Sequence, residues 1–258
     1  MTPLPKYLYC VIPCSEERVF EGVAPIGGAP GLVQSVPFGD LAMVVSDSPQ
    51  TTPLESNRPN LLAHQRVQER VMGEFPLLPV RFGTVADSPS CVSDIHRLLD
   101  KRSQEFHGLL ADVTGKVELG LKVLWRDERA LFEEVLVENP SLRQLRDSLR
   151  HQSAEVLRRE GVSLGTLVKE ALDAKRRREA AVVLAPLRRI AIQVQENGIL
   201  LDRMMLNAAF LVESEREAEF DQAVTLLDQE LGQRLALKYV GPVPPYNFVN
   251  ITVDWKEI

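Results

Sequence analysis

The sequence predicts an α+β fold with two domains, on the basis of its length and of two similar series of segments. With 258 residues, the chain is long enough for two domains. Over residues 1–114, segments with strand-like alternation and segments with helical periodicity follow in the order β-α-β-β-α-β, with one further helix. The same order recurs over residues 115–258, with a long helical insertion after its first strand. We therefore expect a ferredoxin-like N-terminal domain and a C-terminal α+β domain.

The N-terminal domain is predicted to begin with a central strand and a hairpin. Lys6–Ile12 reads KYLYCVI and is apolar on both alternating faces, which is typical of a strand inside a sheet. Residues 15–20 are predicted to form a short helical turn. Residues 32–37 and 41–46 flank Phe38-Gly39-Asp40, and the glycine at the turn favours a hairpin.

The stretch of residues 61–85 predicts a helix, a corner and a strand. Its helix carries one apolar stripe at four-residue spacing, formed by Ala63, Val67, Val71 and Phe75. Pro76 and Pro79 end the helix, because proline lacks the N–H that a helix needs, and they lead into a strand over residues 80–85. Residues 89–113 are predicted to form the helix that completes the domain.

The C-terminal domain is predicted to begin with the clearest strand in the chain. Over residues 117–125, apolar side chains occupy every second position. A helical arm follows over about residues 140–195, and the glycines at 161 and 165 are predicted to separate two helices within it. The end of this arm, residues 190–201, fits a helix or a strand.

The last part of the chain is predicted to complete the second sheet. Residues 203–213 and 235–240 have the pattern of strands, and Ser214 with Glu217 forms a capping box that opens the helix between them. The proline-rich tail, residues 241–258, has too many prolines for a central strand. We expect the tail to belong to the C-terminal domain and to add one edge strand over residues 248–253.

Composition excludes several classes of partner. The net charge of −6 argues against general nucleic-acid binding, because phosphate contacts need an excess of lysine and arginine. No run approaches the ~18 apolar residues of a membrane-spanning helix, and no signal peptide opens the chain. The cysteines, Cys10, Cys14 and Cys91, are odd in number and form no C-x-x-C motif, which indicates reduced thiols. We therefore expect a cytoplasmic protein that binds neither nucleic acid nor membranes.

Catalytic and metal-binding motifs are absent from the sequence. It contains no P-loop, no H-E-x-x-H motif and no G-x-S-x-G motif. The four histidines are scattered, and His96 and His107 are eleven residues apart, whereas two metal ligands on one helix are typically four apart. We therefore expect a protein that is not an enzyme and that carries neither a metal nor another cofactor.

A charged residue in the predicted strand over residues 80–85 points to a binding surface. Arg81 needs a partner if the strand is half-buried, because a buried unpaired charge costs several kcal/mol. One interpretation is an ion pair with a helix carboxylate such as Glu69. The other is an anchor for an anion or for a partner protein. The candidate partner-binding residues are His64, Arg66, Glu69, Arg81 and Phe82.

A second candidate surface lies in the helical arm, which is basic although the chain is acidic. Residues 140–195 contain twelve basic and six acidic residues, so their net charge is +6. The most basic run consists of Lys175, Arg176, Arg177 and Arg178. It is either one solvated helical turn, paired with nearby acids such as Asp173 and Glu179, or a docking surface for an acidic partner.

Five segments together resemble the gas vesicle protein F/L family. They are YLYCVIP at residues 7–13, NLLAHQRVQERVM through LPVRFGTV at residues 60–85, GKVELGLKVLW at residues 115–125, AAFLV at residues 208–212 and GPVPPYNFV at residues 241–249. Their order and spacing cover nearly the whole chain. Cys10 is a departure, because this family more often has glycine at that position.

The resemblance implies a function that composition alone does not. Members of the family are accessory or minor structural proteins of gas vesicles, the protein-walled, gas-filled buoyancy organelles of some prokaryotes. By this resemblance, the chain is expected to bind the small, hydrophobic major shell protein, to meet other gas vesicle accessory proteins and to assist vesicle nucleation or assembly. A regulatory or small-ligand-sensing module is the alternative, because ferredoxin-like domains host many unrelated functions.

Overall fold

The computed structural model describes residues 4–29, 31–48, 54–149, 154–256 and 258, without the side chains of residues 154–161. The chain divides into two compact units. The first unit consists of Met1–Glu118 together with Pro242–Ile258, and the second unit is Leu119–Gly241. Each unit contains helices and one sheet, which confirms the predicted α+β class. Among the described residues, no helix is long and apolar enough to cross a membrane.

The sheet of the first unit has its first strand at the centre. Its strands are β1 (Lys6–Ile12), β2 (Gln34–Phe38), β3 (Leu41–Asp47), β4 (Leu78–Pro79) and β5 (Val85–Ala86). They are ordered β2-β3-β1-β4, β5 also pairs with β1, and all pairs are antiparallel. The predicted hairpin is confirmed, and Gly39 adopts a positive φ of 65° at its turn.

Helices pack on both faces of this sheet. They are α1 (Arg58–Met72), α2 (Cys91–Lys101) and α3 (Ser103–Val113). Val67 and Val71 of α1 join a buried cluster on one face, whereas α2 and α3 bury their apolar sides in a second cluster. The helix predicted over residues 89–113 is therefore two helices, separated at Arg102, whose φ of −105° and ψ of 15° are not helical.

A bulge in β1 changes which of its side chains share a face. The register with β3 shifts between Leu8 and Cys10. Consequently Val11 packs with Leu8 in one cluster, and Cys10 packs with Tyr9 in the other. The predicted strand is confirmed, but the strict alternation assumed for it holds only as far as Tyr9.

Two predicted elements of the first unit are wrong. Residues 15–20 form no helical turn: the chain bends at Ser15 and Glu16, and Val19 then forms a bridge with Gln34. The strand predicted over residues 80–85 is interrupted by a turn. Gly83 adopts a φ of 85° there, and the N–H of Thr84 donates to the carbonyl of Arg81 at 3.3 Å.

The second unit repeats the strand order of the first. Its elements are β6 (Lys116–Trp125), which begins in the first unit, α4 (Glu128–Glu138), α5 (Pro140–Leu149), α6 (Ala154–Leu187), β7 (Gln193–Glu196), β8 (Met204–Glu213), α7 (Glu217–Leu231) and β9 (Leu235–Val243). The sheet order is β7-β8-β6-β9. The helical insertion predicted after the first strand therefore corresponds to α4, α5 and α6.

Two local predictions for this unit are wrong, and one predicted strand is longer than expected. Gly161 and Gly165 do not end a helix, because α6 runs through both and ends only at Leu187, one residue after Pro186. A glycine costs only about 1 kcal/mol relative to alanine inside a helix, which packing can offset. The predicted capping box is not formed: residues 214–216 form a 3₁₀ turn, and α7 has no side-chain cap. Strand β9 continues through Pro242, which an edge strand tolerates.

The proline-rich tail differs from the prediction in both its place and its conformation. Pro242–Ile258 belongs to the first unit and not to the C-terminal domain. No edge strand forms over residues 248–253; only Ile251 makes an isolated bridge, with Val80. Val249 and Ile251 are buried in the same core cluster as α2 and α3, and this long-range burial determines where the tail lies.

Candidate partner-binding cleft

A cleft of about 430 Å³ lies in the first unit, where three segments that are distant in sequence meet. Helix α1 forms one wall, the residues at the end of β4 form the floor, and the tail forms the other wall. The lining residues are Leu61, His64, Gln65, Pro79, Val80, Arg81, Phe82, Tyr246, Val249, Asn250 and Ile251. The cleft thus contains three of the five predicted partner-binding residues, His64, Arg81 and Phe82.

His64 is held in the cleft wall by aromatic rings and hydrogen bonds. Its ring stacks on Tyr9 with centroids 5.6 Å apart, and the edges of Tyr7 and Phe82 contact it at the same centroid distance. Its Nδ1 lies 2.9 Å from Tyr7 Oη, which also accepts the N–H of Gly83 at 3.0 Å. The Tyr7 hydroxyl can donate its proton to Nδ1 while its oxygen accepts the N–H of Gly83.

His64 is therefore a neutral ring. Burial lowers the pKa of His64 from 6.5 to about 4, although a hydrogen bond to the backbone of Val80 acts in the opposite direction. Because the hydrogen bond to the Val80 backbone raises the pKa, a ring N–H donates to it, and in the neutral ring the other nitrogen, Nδ1, then accepts from the Tyr7 hydroxyl. Both nitrogens are engaged, so the ring positions the cleft wall and offers no free nitrogen for a metal or a proton transfer.

Arg81 and Phe82 lie at the turn that follows β4. The backbone of Arg81 is fixed, because its N–H donates to Ile251 at 3.2 Å and its carbonyl accepts from the Thr84 hydroxyl at 2.7 Å. Its side chain is exposed, and it forms no ion pair with any residue in the described ranges. The predicted pairing with Glu69 is thus not formed. Phe82 is half-buried against His64.

Arg66 and Glu69, the other two predicted partner-binding residues, do not line the cleft. Both are exposed on α1. Glu69 accepts a hydrogen bond from Gln65 at 2.7 Å. It also lies close enough to Tyr246 to raise the pKa of that phenol further above its ordinary value, after the larger effect of burial.

The tail wall of the cleft is anchored by a buried carboxylate. Glu118 accepts the backbone N–H of Asn247 at 2.8 Å and its side-chain amide at 2.5 Å. Burial raises the pKa of Glu118, and these two hydrogen bonds partly oppose that shift. Farther along, Arg102 donates to the carbonyl of Thr252 at 2.8 Å, and Trp255 Nε1 donates to the carbonyl of Val85 at 2.7 Å.

The sequence did not predict that the tail lines the cleft. Tyr246, Val249, Asn250 and Ile251 were placed in the other domain, because alternation and proline content describe only local conformation. The one indication was the resemblance of GPVPPYNFV to the same family as residues 60–85.

The second predicted surface, the basic run of α6, is largely neutralised within the second unit. Lys175 is only 3% exposed and lies among three carboxylates, Glu134 at 2.9 Å, Glu179 at 3.0 Å and Glu138. Burial lowers the pKa of Lys175, but hydrogen bonds to these carboxylates raise it by more. Arg178 pairs with Glu138 at 2.5 Å.

The remaining two residues of the run differ from each other. Arg176 pairs with Asp173 and donates to the carbonyls of Met204 and Asp202 at 2.9 Å. Arg177 is exposed and forms no ion pair within the part of the chain that the structure describes. A docking surface for an acidic partner would therefore rest on Arg177 and on arginines that already have partners.

Metal-binding geometry is not found in the described residues, which contain no group of three or more histidine, cysteine, aspartate or glutamate side chains able to hold an ion. All three cysteines are free, and Cys10 is fully buried. Burial raises the pKa of the Cys10 thiol, which disfavours the reactive thiolate.

Comparison with known proteins identifies one family. The model of the family described as gas vesicle synthesis protein GvpL/GvpF matches residues 5–250. Gas vesicle protein F of Streptomyces sp. (strain CB03234) is 31% identical over 246 residues, which cover 94% of this chain and 98% of that protein. Gas vesicle protein F of Dolichospermum flosaquae is 28% identical over 250 residues, or 96% of this chain and 98% of that protein.

Solved structures give the same result. The crystal structure of the gas vesicle protein GvpF from Microcystis aeruginosa matches with a TM-score of 0.78 and 28% identity, over 95% of this chain and 99% of that one. GvpF from Anabaena sp. PCC7120 also matches with a TM-score of 0.78, at 27% identity, over 97% of this chain and all of that one. The sequence comparisons and the structure comparisons therefore match the same family over nearly the full length of the chain.

Proposed function

Because the chain belongs to the gas vesicle synthesis protein GvpL/GvpF family, we propose that it is an accessory gas vesicle protein that binds the major shell protein and assists vesicle nucleation and assembly. The observation that carries this proposal is the cleft of the first unit, which combines an apolar lining with an accessible rim. Leu61 is 43% exposed at this rim, and Tyr246 is 39% exposed across from it. Exposed apolar side chains around a cleft are typical of protein-binding surfaces.

The protein acts in the cytoplasm, in association with the gas vesicle, and it acts by binding and not by catalysis. A hydrophobic shell subunit needs its apolar surface covered until it polymerises, and an apolar cleft on an acidic carrier supplies such a cover. Other gas vesicle accessory proteins are further partners. A carrier of this kind releases the shell protein as the wall grows, whereas a fixed wall component stays bound to washed vesicles.

The test uses the full chain, tagged and co-expressed with the major shell protein. Leu61→Glu places a charge in the cleft rim, and the matched control Leu62→Glu changes a neighbour that is 39% exposed but does not line the cleft. We expect Leu61→Glu to reduce the shell protein that co-purifies by about tenfold or more, and Leu62→Glu to leave it unchanged. Equal capture by both variants would contradict the proposal that the cleft is the binding site.

A small-ligand-sensing module is the second candidate, because the cleft volume of about 430 Å³ lies within the ~300–1,000 Å³ typical of small-molecule sites. Polar groups of Gln65, Arg81 and Asn250 converge there. The two candidates are separated by the same co-purification: a sensor retains no shell protein, and its melting temperature rises with a small metabolite in solution.

A further inference from the structure

We infer that the cleft takes a peptide segment in which a large apolar side chain stands next to a carboxylate, with the apolar group against the tail wall and the carboxylate on Arg81. This inference rests on the proposed function, since it specifies the chemistry of the partner segment that enters the same cleft. It is carried by the charge of the lining, by the state of Arg81 and by the exposed apolar side chains beside it.

The lining of the cleft is positively charged, although the chain is acidic. Arg81 is the one charged side chain among the lining residues, and none of them is acidic, whereas the whole chain has a net charge of −6. His64 adds no charge at neutral pH, because its nitrogens are engaged and its ring is neutral. Glu69, on the outer turn of α1, is hydrogen-bonded by Gln65. Negative charge is disfavoured at Tyr246 by Glu69 and Glu118, so the place in the cleft that favours an anionic group is the guanidinium of Arg81.

Among the described residues of the first unit, Arg58, Arg66 and Arg81 are the arginines without a carboxylate partner, and Arg81 is the one of these three that lines the cleft. Arg70 pairs with Glu74 at 2.6 Å, and Arg102 pairs with Glu105 at 2.6 Å. The guanidinium of Arg81 has no such partner within the described ranges, although its backbone is fixed at both its N–H and its carbonyl. A guanidinium on a fixed backbone is suited to bidentate binding of a carboxylate.

The rest of the cleft fits one apolar side chain with its peptide backbone. The accessible apolar surface lies above a buried base of Val80 and Ile251 and comes from Leu61, which is 43% exposed, Tyr246, which is 39% exposed, and the half-buried Phe82. Asn250 is exposed in the same lining, and an asparagine offers both donors and acceptors to a peptide. An inorganic anion would use Arg81 but would leave this exposed apolar surface uncovered, so a peptide fits better than a free anion.

The test measures binding of three blocked synthetic peptides to the full chain by calorimetry and by amide chemical shifts. One peptide carries Phe-Asp between serines, the second carries Phe-Lys, and the third carries Ser-Asp. The protein variants are the unaltered chain, Arg81→Gln, and the matched control Arg66→Gln, which removes an exposed arginine of α1 outside the cleft. Circular dichroism verifies that each variant is folded.

We expect the Phe-Asp peptide to bind the unaltered chain and Arg66→Gln equally, and to bind Arg81→Gln about tenfold more weakly or worse. The Phe-Lys and Ser-Asp peptides should bind at least tenfold more weakly than Phe-Asp. Equal affinity of Arg81→Gln for the Phe-Asp peptide, equal binding of all three peptides, or no binding of any peptide would each overturn the inference. The inference would also be overturned if inorganic phosphate displaced the Phe-Asp peptide and the Phe-Asp and Ser-Asp peptides then bound equally.

The outcomes separate this inference from the proposed function. If peptide binding depends on Arg81 but no shell protein is captured, the inference is supported and the proposed function is contradicted. Capture of shell protein that depends on Leu61 but survives Arg81→Gln supports the proposed function and overturns the inference.

Discussion

The two units of this chain have sheets of the same strand order but different connections after the first strand. In each, the third strand of the sheet lies between the first and the second, and the fourth lies on the other side of the first. The second unit connects its first two strands through α4, α5 and α6, whereas the described residues between β1 and β2, 13–29 and 31–33, contain a 3₁₀ turn at Ile26–Gly28 and a single bridge residue, Val19, but no α-helix. The first sheet remains covered because Phe20, Ile26 and Val33 of that connection pack with α1.

The units also differ in the polar interactions that hold them together. The first unit buries a neutral group, His64, hydrogen-bonded to Tyr7. The second unit buries a cation, Lys175, among three carboxylates that join α4 to α6. A neutral network is sensitive to protonation and insensitive to salt, whereas removal of the buried cation from a charge cluster leaves neighbouring carboxylates that repel one another and keep only their more exposed arginine partners, Arg178 and Arg234. One tryptophan in each unit, Trp255 and Trp125, allows the two stabilities to be followed separately.

Removal of the buried cation should have the largest effect. Lys175→Met leaves three carboxylates without their shared partner, so we expect the second unit to lose about 4 kcal/mol of its free energy of unfolding. The measurement is urea unfolding followed by Trp125 fluorescence in a Trp255→Phe background. The control is Arg177→Met, an exposed neighbour for which we expect a change within about 0.5 kcal/mol. A small loss for Lys175→Met would show that the cluster does not hold the helical arm.

Truncation of the tail should destabilise the first unit by a smaller amount. Ile251 is fully buried in the core of that unit, and Ile251→Ala should cost about 3 kcal/mol through lost burial and the cavity that remains. Trp255 fluorescence in a Trp125→Phe background reports on this unit. Thr252→Ala is the control, because Thr252 is exposed and only its backbone carbonyl binds Arg102. If Ile251→Ala destabilised only the second unit, the assignment of the tail to the first unit would be wrong.

Acidification should have the next largest effect, and it should destabilise the two units over different pH ranges. The folded-state pKa of His64, about 4, lies below its ordinary value of 6.5, so the unfolded chain binds the proton first and stability falls as the pH falls from 6.5 toward 4. At 1.36 kcal/mol per pKa unit, the first unit should lose about 2 kcal/mol between pH 6.5 and pH 5. His64→Gln should remove this slope even if it lowers stability at every pH.

The second unit should lose stability in a lower window. Burial disfavours the ionised form of Glu179, but hydrogen bonds from Arg234, Trp125 and Lys175 outweigh it and lower its pKa from 4.5 to about 2. That carboxylate therefore stabilises the unit above pH 4.5, and its contribution is lost as the pH falls toward 2. Parallel loss in both units between pH 6.5 and pH 5 would contradict the assignment of this slope to His64.

Local sequence patterns predicted most elements of both units and missed those that depend on distant residues. The hairpin of β2 and β3 and the long strands β6 and β8 follow from alternation and turn residues close to them. The bulge after Leu8 and the turn at Gly83 do not, because a register shift and a positive φ arise from pairing with other strands. Likewise, the glycines of α6 are tolerated because the helix packs on its neighbours.

The candidate site was predicted only in part for the same reason. His64, Arg81 and Phe82 were selected because they are close in sequence, and the structure places all three in one cleft. The tail wall was missed because hydrophobic burial of Ile251 decides its position and no local pattern records that burial. For the basic run of α6, spacing along the helix indicated the nearby acids Asp173 and Glu179, which do pair with it, but it could not indicate Glu134 and Glu138, which lie on α4 outside residues 140–195.

The smallest predicted effect compares one helix cap in each unit. Asn57 Oδ1 accepts the N–H of Asn60 at 3.0 Å at the start of α1, and Asp127 Oδ1 accepts the N–H groups of Arg129 at 2.8 Å and Ala130 at 3.0 Å at the start of α4. Asn57→Ala and Asp127→Ala should each cost about 1 kcal/mol in their own unit.

Salt should distinguish these two caps. Asp127 is charged and interacts with the helix dipole, which salt screens, whereas Asn57 is neutral. In 1 M sodium chloride the cost of Asp127→Ala should therefore shrink by a few tenths of a kcal/mol, and the cost of Asn57→Ala should stay the same. Equal salt dependence of the two costs would mean that the difference between the neutral His64 network and the charged Lys175 cluster does not extend to the helix ends of the two units.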